Sequence, residues 1–127
     1  MHRLSIKEAV ELFHLLFLDQ MSRKIDRSRY VLKGGCNLRF YFNSIRYSED
    51  IDLDIKTIQK ETLQKNINKI LSSTPFKVLL KNRGIEINAV HEAKQTQTTQ
   101  RWKITLLIES TALPIHTKVE FSRRENK

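Results

Sequence analysis

A single mixed α/β (α+β) domain, with a sheet packed against helices, is the fold class the sequence predicts, and three observations predict it. Apolar residues recur at helical spacing over Ser5 to about Lys24 and again over Thr57 to Leu71. Strict alternation of acid and aliphatic residues marks an extended segment at residues 50–55. The second half then strings together short β-favouring runs separated by turn residues, the pattern of strands covered by the earlier helices.

Each element follows from local chemistry. Ser5 and Glu8 stand at capping-box spacing, and Ala9, Leu12, Phe13, Leu16 and Phe17 line one stripe of the helix they open. The charged run SRKIDRSR either continues that helix or turns out of it. Tyr30, Val31 and Leu32 form a short extended run ending at Lys33-Gly34-Gly35, where two residues without Cβ allow a sharp turn or a close backbone approach to a ligand. Asn37 to Asn43 reads as a short helix, with Leu38 and Phe42 four apart on one side. Along the extended segment Asp50, Asp52 and Asp54 point one way and Ile51, Leu53 and Ile55 the other. The second long helix carries Ile58, Leu63, Ile67, Ile70 and Leu71, and Ser72 to Pro75 stops it. Phe76 to Leu80 is an apolar but short run before the break at KNRG. Ile85 to Val90, WKITLLI and IHTKVEF favour strands, with KQTQTTQ as a loop or strand margin.

Composition narrows the function. The chain has 127 residues, 39% hydrophobic and 29% charged, enough for one ordinary core. No apolar run approaches the roughly 20 residues that span a bilayer, and the N-terminus lacks the pattern of a secretory signal. One cysteine, Cys36, excludes an intramolecular disulfide and a multi-cysteine metal site, and points to the cytoplasm as the compartment. The four histidines have no zinc-site spacing. A net charge of +9, spread through the chain, favours a polyanionic partner or substrate.

The informative constellation is Ser48-x-Asp50-x-Asp52, preceded by Lys33-Gly34-Gly35 and followed by Lys118-Val119-Glu120. Carboxylates on alternate strand positions have Cα atoms about 6.6 Å apart and supply the hard oxygen ligands that divalent cations prefer. A third carboxylate from another strand would complete a clamp of the kind used in phosphoryl and nucleotidyl transfer. Adjacent glycines permit a backbone nest for a phosphate, and Lys33 and Lys118 are candidates for further charge compensation. By pattern alone the acids also describe a solvated sheet face, the glycines a bare turn, and Glu120 a surface acid. Their joint arrangement gives them weight.

That arrangement resembles the AbiEii/AbiGii-like toxin family of nucleotidyltransferases. The matching segments are LKGGCNLRFYF, RYSEDIDL and the later KVEFSRRE, which together span nearly the whole chain after its first helix. The resemblance implies the minimal nucleotidyltransferase fold, with Asp50, Asp52 and Glu120 as catalytic, metal-binding carboxylates for Mg²⁺ or Mn²⁺. It implies Gly34 and Gly35 at the nucleotide-binding turn and Ser48 just before the first catalytic Asp. A family-like reaction is attack of an acceptor hydroxyl on the α-phosphate of a nucleoside triphosphate, with tRNA or another RNA, or a protein, as acceptor and a cognate antitoxin as partner. Two residues depart from the pattern: Cys36 stands where a hydroxylated residue is usual, and Glu120 where many relatives carry Asp. The sequence ends at Lys127, directly after the third motif, whereas relatives continue into a mostly helical region. The expectation is one nucleotidyltransferase-like domain over residues 1–127 without that region.

Arg39 and Arg46 recur in the matching motifs and are expected to support the acids or touch phosphate. Asp54 lies about 13 Å from Asp50 along a regular strand and is expected to support the site or face solvent, with direct metal ligation as the lesser alternative. Arg101, Arg123 and Arg124 are either guides for a nucleic-acid backbone or ordinary surface charge. The competing functional reading is a noncatalytic nucleic-acid-binding or antitoxin-interacting module, or a structural remnant, of the same fold.

Overall fold

The computed structural model describes residues 3–32 and 50–123. Helix α1 spans Ile6–Lys24, α2 Lys60–Ser72 and α3 Thr74–Lys81, with a 3-10 turn at Arg27–Arg29. The strands are β1 Tyr30–Leu32, β2 Asp50–Ile55, β3 Ile85–Gln95, β4 Thr99–Ile108 and β5 Ile115–Arg123. They form one five-stranded sheet in the order β1-β2-β5-β4-β3. All neighbours are antiparallel except β2 and β5, which run parallel at the centre.

The ends of α1 obey the sequence, whereas α2 begins at Lys60, so Thr57 and Ile58 precede the helix expected to carry them. Ser5 Oγ accepts from the Glu8 backbone N–H and Glu8 Oε1 accepts from the Ser5 N–H, the reciprocal pair that satisfies two otherwise orphaned donors. The charged run after α1 is neither all helix nor all loop: the helix stops at Lys24 and the 3-10 turn follows, with Asp26 accepting from the Ser28 N–H. Phe76 to Leu80 lies inside a helix. Ser73 caps α3 by accepting from Phe76 N–H, and Pro75 sits in the first turn, where its missing donor leaves no bond unmade. A proline that ends one helix thus starts the next. The expected helix at Asn37 to Asn43 lies outside the described residues.

Period-two alternation sorts the sheet into two faces. Ile51, Leu53 and Ile55 of β2, Val119 and Phe121 of β5, and Trp102, Ile104 and Leu106 of β4 are buried with Phe13, Phe17 and Met21 of α1, Leu63, Ile67 and Ile70 of α2, and Phe76 and Leu80 of α3. Phe13 packs between Phe17 and Phe76, and Trp102 meets Phe121 edge to face. Two hydrogen bonds tie polar groups caught in this layer: Trp102 Nε1 donates to Asn68 Oδ1 at 2.9 Å, and His14 Nε2 lies 2.8 Å from Thr117 Oγ1. With all three helices on that side, the acids of β2 lie on the other face.

Candidate active site

Because β2 alternates, Asp50, Asp52 and Asp54 share the face that the helices leave open. Parallel pairing sets Asp50 opposite Lys118, Asp52 opposite Glu120, and Asp54 opposite Ser122. Neighbouring strands lie about 4.8 Å apart, so acids 68 positions apart in sequence, Asp52 and Glu120, become direct neighbours. The antiparallel ladder to β4 adds Arg101 opposite Glu120 and Lys103 opposite Lys118.

Two of these acids, Glu120 and Asp50, are engaged with cations. Arg101 Nε donates to Glu120 Oε1 at 2.6 Å, the two side chains being 29% and 20% exposed. Lys118 Nζ stands 3.8 Å from Asp50 Oδ2, a looser contact between more exposed groups. A shallow depression of about 420 Å³, lined by Asp50, Lys103, His116, Thr117 and Lys118, lies along this face. His116 is fixed in it by Thr105, whose hydroxyl is 3.2 Å from Nδ1. The chemistry of the three acids fits a hard divalent ion, since all offer carboxylate oxygens on adjoining strands. Among the described residues, no three His, Cys, Asp or Glu side chains are gathered as a ligand set.

Lys33, Gly34, Gly35, Arg39, Arg46 and Ser48 lie outside the described residues. Both ends of the segment that carries them adjoin the acids. Leu32, the last described residue before it, pairs with Leu53, next to Asp52, and the chain resumes at Asp50 itself. Arg123 is held to backbone instead of standing free for nucleic acid: Nε donates to Ile58 O at 3.0 Å and Nη1 to Gln97 O at 3.3 Å, and burial pushes its pKa below the usual guanidinium value. Arg124 lies outside the described residues.

Sequence reasoning missed two members of this face, the Arg101 contact to Glu120 and the position of Lys103. A signal was present. Residues 99–106 alternate polar Thr99, Arg101, Lys103 and Thr105 with buried Gln100, Trp102, Ile104 and Leu106, which puts Arg101 on a polar face. Only the strand register says whose neighbour it is.

The family model for the nucleotidyl transferase AbiEii toxin of type IV toxin–antitoxin systems matches residues 16–126. The chain belongs to this family. Two solved structures share the fold of this AbiEii family member. One, described as a nucleotidyltransferase from H. pylori, is 22% identical with a TM-score of 0.64, the match covering 98% of this chain and 48% of that one. The other, JHP933 from Helicobacter pylori, is 20% identical with a TM-score of 0.65, covering 99% and 47% respectively. The AbiEii-family chain therefore spans about half the length of either protein. A search among curated proteins found no match. Among the described residues, no helix is long and apolar enough to cross a membrane.

Proposed function

We propose that the chain carries the catalytic face of a toxin-type nucleotidyltransferase that moves a nucleoside monophosphate from a nucleoside triphosphate to an acceptor hydroxyl, releasing pyrophosphate. The observation that carries this reading is the pairing of Asp52 with Glu120 across β2 and β5, with Asp50 two residues away on the same face. Asp50, Asp52 and Glu120 are the residues that would hold Mg²⁺ or Mn²⁺. Bound there, such an ion supplies charge neutralisation on the phosphates and a more acidic acceptor hydroxyl.

The remaining roles fall to the chain's own groups. Lys118, beside Asp50, offers a cation to the phosphates. Lys33, Gly34, Gly35 and Ser48 belong to the segment tethered at both ends beside the acids, and we assign them to nucleotide binding on the family motif. Arg39, Arg46 and Asp54 support the acids. A net charge of +9 suits a polyanionic acceptor, either an RNA, tRNA included, or an acidic-surfaced protein. Family membership supports a cognate antitoxin as partner, and a single cysteine suits the reducing cytoplasm.

Incubation of the chain with divalent metal, each labelled nucleoside triphosphate in turn, and total RNA or protein tests this reading. Label should enter the acceptor and vanish with Asp50→Ala or Asp52→Ala at unchanged folding. Salt-sensitive RNA binding with no dependence on metal or triphosphate would instead favour the noncatalytic module.

A further inference from the structure

Glu120 sits between neighbours with opposite demands. Parallel pairing places it opposite Asp52, and the antiparallel ladder on its other side places it opposite Arg101. Its Oε1 accepts from Arg101 Nε at 2.6 Å, and with only 29% and 20% of the two side chains exposed, the contact lies in a medium less screening than bulk water. An aspartate at this position would end about 1.5 Å short, one C–C bond, so the extra methylene of Glu120 closes the contact. The engaged carboxylate is drawn toward β4, on the far side of β5 from Asp52. This agrees with the lack of any gathered three-acid ligand set among the described residues.

We propose that Arg101 is a latch on the third acid: it is the counter-ion of Glu120 until a divalent cation displaces it, and Glu120 joins Asp52 as a ligand only when that pair opens. The inference rests on the reading of these acids as a metal site. Electrostatics gives the latch its reason. Three carboxylates on two adjoining strands repel one another, and like charges on directly opposed positions destabilise a sheet. Arg101 answers Glu120 and Lys118 approaches Asp50, so two of the three have a cation when no metal is bound. A metal ion entering between Asp52 and Glu120 competes with the guanidinium for the same carboxylate. Arg101 is therefore a positioning residue whose removal strengthens metal binding, the opposite of what loss of a merely structural contact does.

The test is Mn²⁺ affinity of the 127-residue chain, read from the signal of free Mn²⁺ by electron paramagnetic resonance. The variants are Arg101→Gln, Glu120→Gln, the double variant, and Lys103→Gln, which removes a charge two residues along the same strand. Arg101→Gln is expected to tighten Mn²⁺ by about threefold or more, the order of a partly exposed ion pair. That gain should exceed any from Lys103→Gln and disappear in the Glu120→Gln background. Arg101→Met, which keeps the aliphatic stem, gives the same result if the amide variant folds poorly. Unchanged or weaker binding in Arg101→Gln overturns the latch, as does a gain that Lys103→Gln equals or that survives without Glu120. If Asp52→Asn leaves Mn²⁺ affinity untouched, the metal reading of the acids fails first. If Asp52→Asn weakens binding and Arg101→Gln does not tighten it, only the latch fails.

Discussion

Lowering the pH should destabilise this domain through one buried imidazole, His14. The ring is fully buried between α1 and the sheet, its Nε2 is 2.8 Å from Thr117 Oγ1, and its Nδ1 has no hydrogen-bond partner among the described residues. Burial holds its pKa down from 6.5 to about 3. Above pH 6.5 the ring is neutral whether the chain is folded or not, so it contributes no pH dependence. Between 6.5 and about 3 the unfolded chain takes up a proton that the folded chain refuses, and stability falls as pH falls. At about 1.4 kcal/mol per pH unit, the loss is about 2 kcal/mol at pH 5. Acids and other histidines also titrate in this range, so the measurement is a difference. Urea unfolding of wild type and His14→Gln at pH 7.5, 6.5, 5.5 and 5.0 should show wild type losing about 2 kcal/mol more than the variant across the series. Parallel curves would refute the assignment of a neutral, proton-refusing histidine in the folded state.

Two further perturbations probe the packing that holds the site's sheet in place. Gly84 has φ +78°, and a Cβ there would lie 2.9 Å from Glu109 Oε1. Glu109 is exposed and its side chain can move aside, so the main cost of Gly84→Ala is the left-handed backbone, about 1–2 kcal/mol in urea unfolding; no loss of stability would contradict that backbone geometry. Asn68 accepts from Trp102 Nε1 and donates to Glu92 Oε2. Asn68→Ala should cost about 1–3 kcal/mol by leaving the indole N–H unmatched. Since Trp102 is the single tryptophan, its fluorescence should shift in the folded state of that variant; an unchanged spectrum and midpoint would argue against the hydrogen bond.

Much of the fold was legible because the local signals are strong. The Ser5–Glu8 capping pair, the stripe of α1 and the alternation of β2 each depend on residues a few positions apart. The run Phe76 to Leu80 was harder to read. Four apolar residues around Lys77 fit a short strand or one helical turn and a half, and the capping role of Ser73 with Pro75 decides for helix. The segment KQTQTTQ, expected as a loop or strand margin, holds both strand ends and the loop between them. It closes the hairpin in which β3 runs on to Gln95 and β4 begins at Thr99. Asp50, Asp52 and Glu120 were legible as residue types at motif spacing, but their adjacency is a property of the β2–β5 register. Arg101 was legible only as charge. Its contact with Glu120 emerges once β4 is set beside β5, because a one-residue slip would turn it into the core.

The central claim is that Asp52 and Glu120, paired across two central strands, perform the chemistry, while Asp54, farther along the same face, supports it. The direct measurement is label transfer from nucleoside triphosphate to RNA at saturating Mg²⁺ or Mn²⁺ by wild type, Asp52→Asn, Glu120→Gln and Asp54→Asn, each shown to unfold cooperatively. The account predicts that the first two variants lose transfer by about a hundredfold or more, with Asp54→Asn retaining most of it. Near-wild-type transfer by a well-folded Asp52→Asn or Glu120→Gln protein would contradict the account.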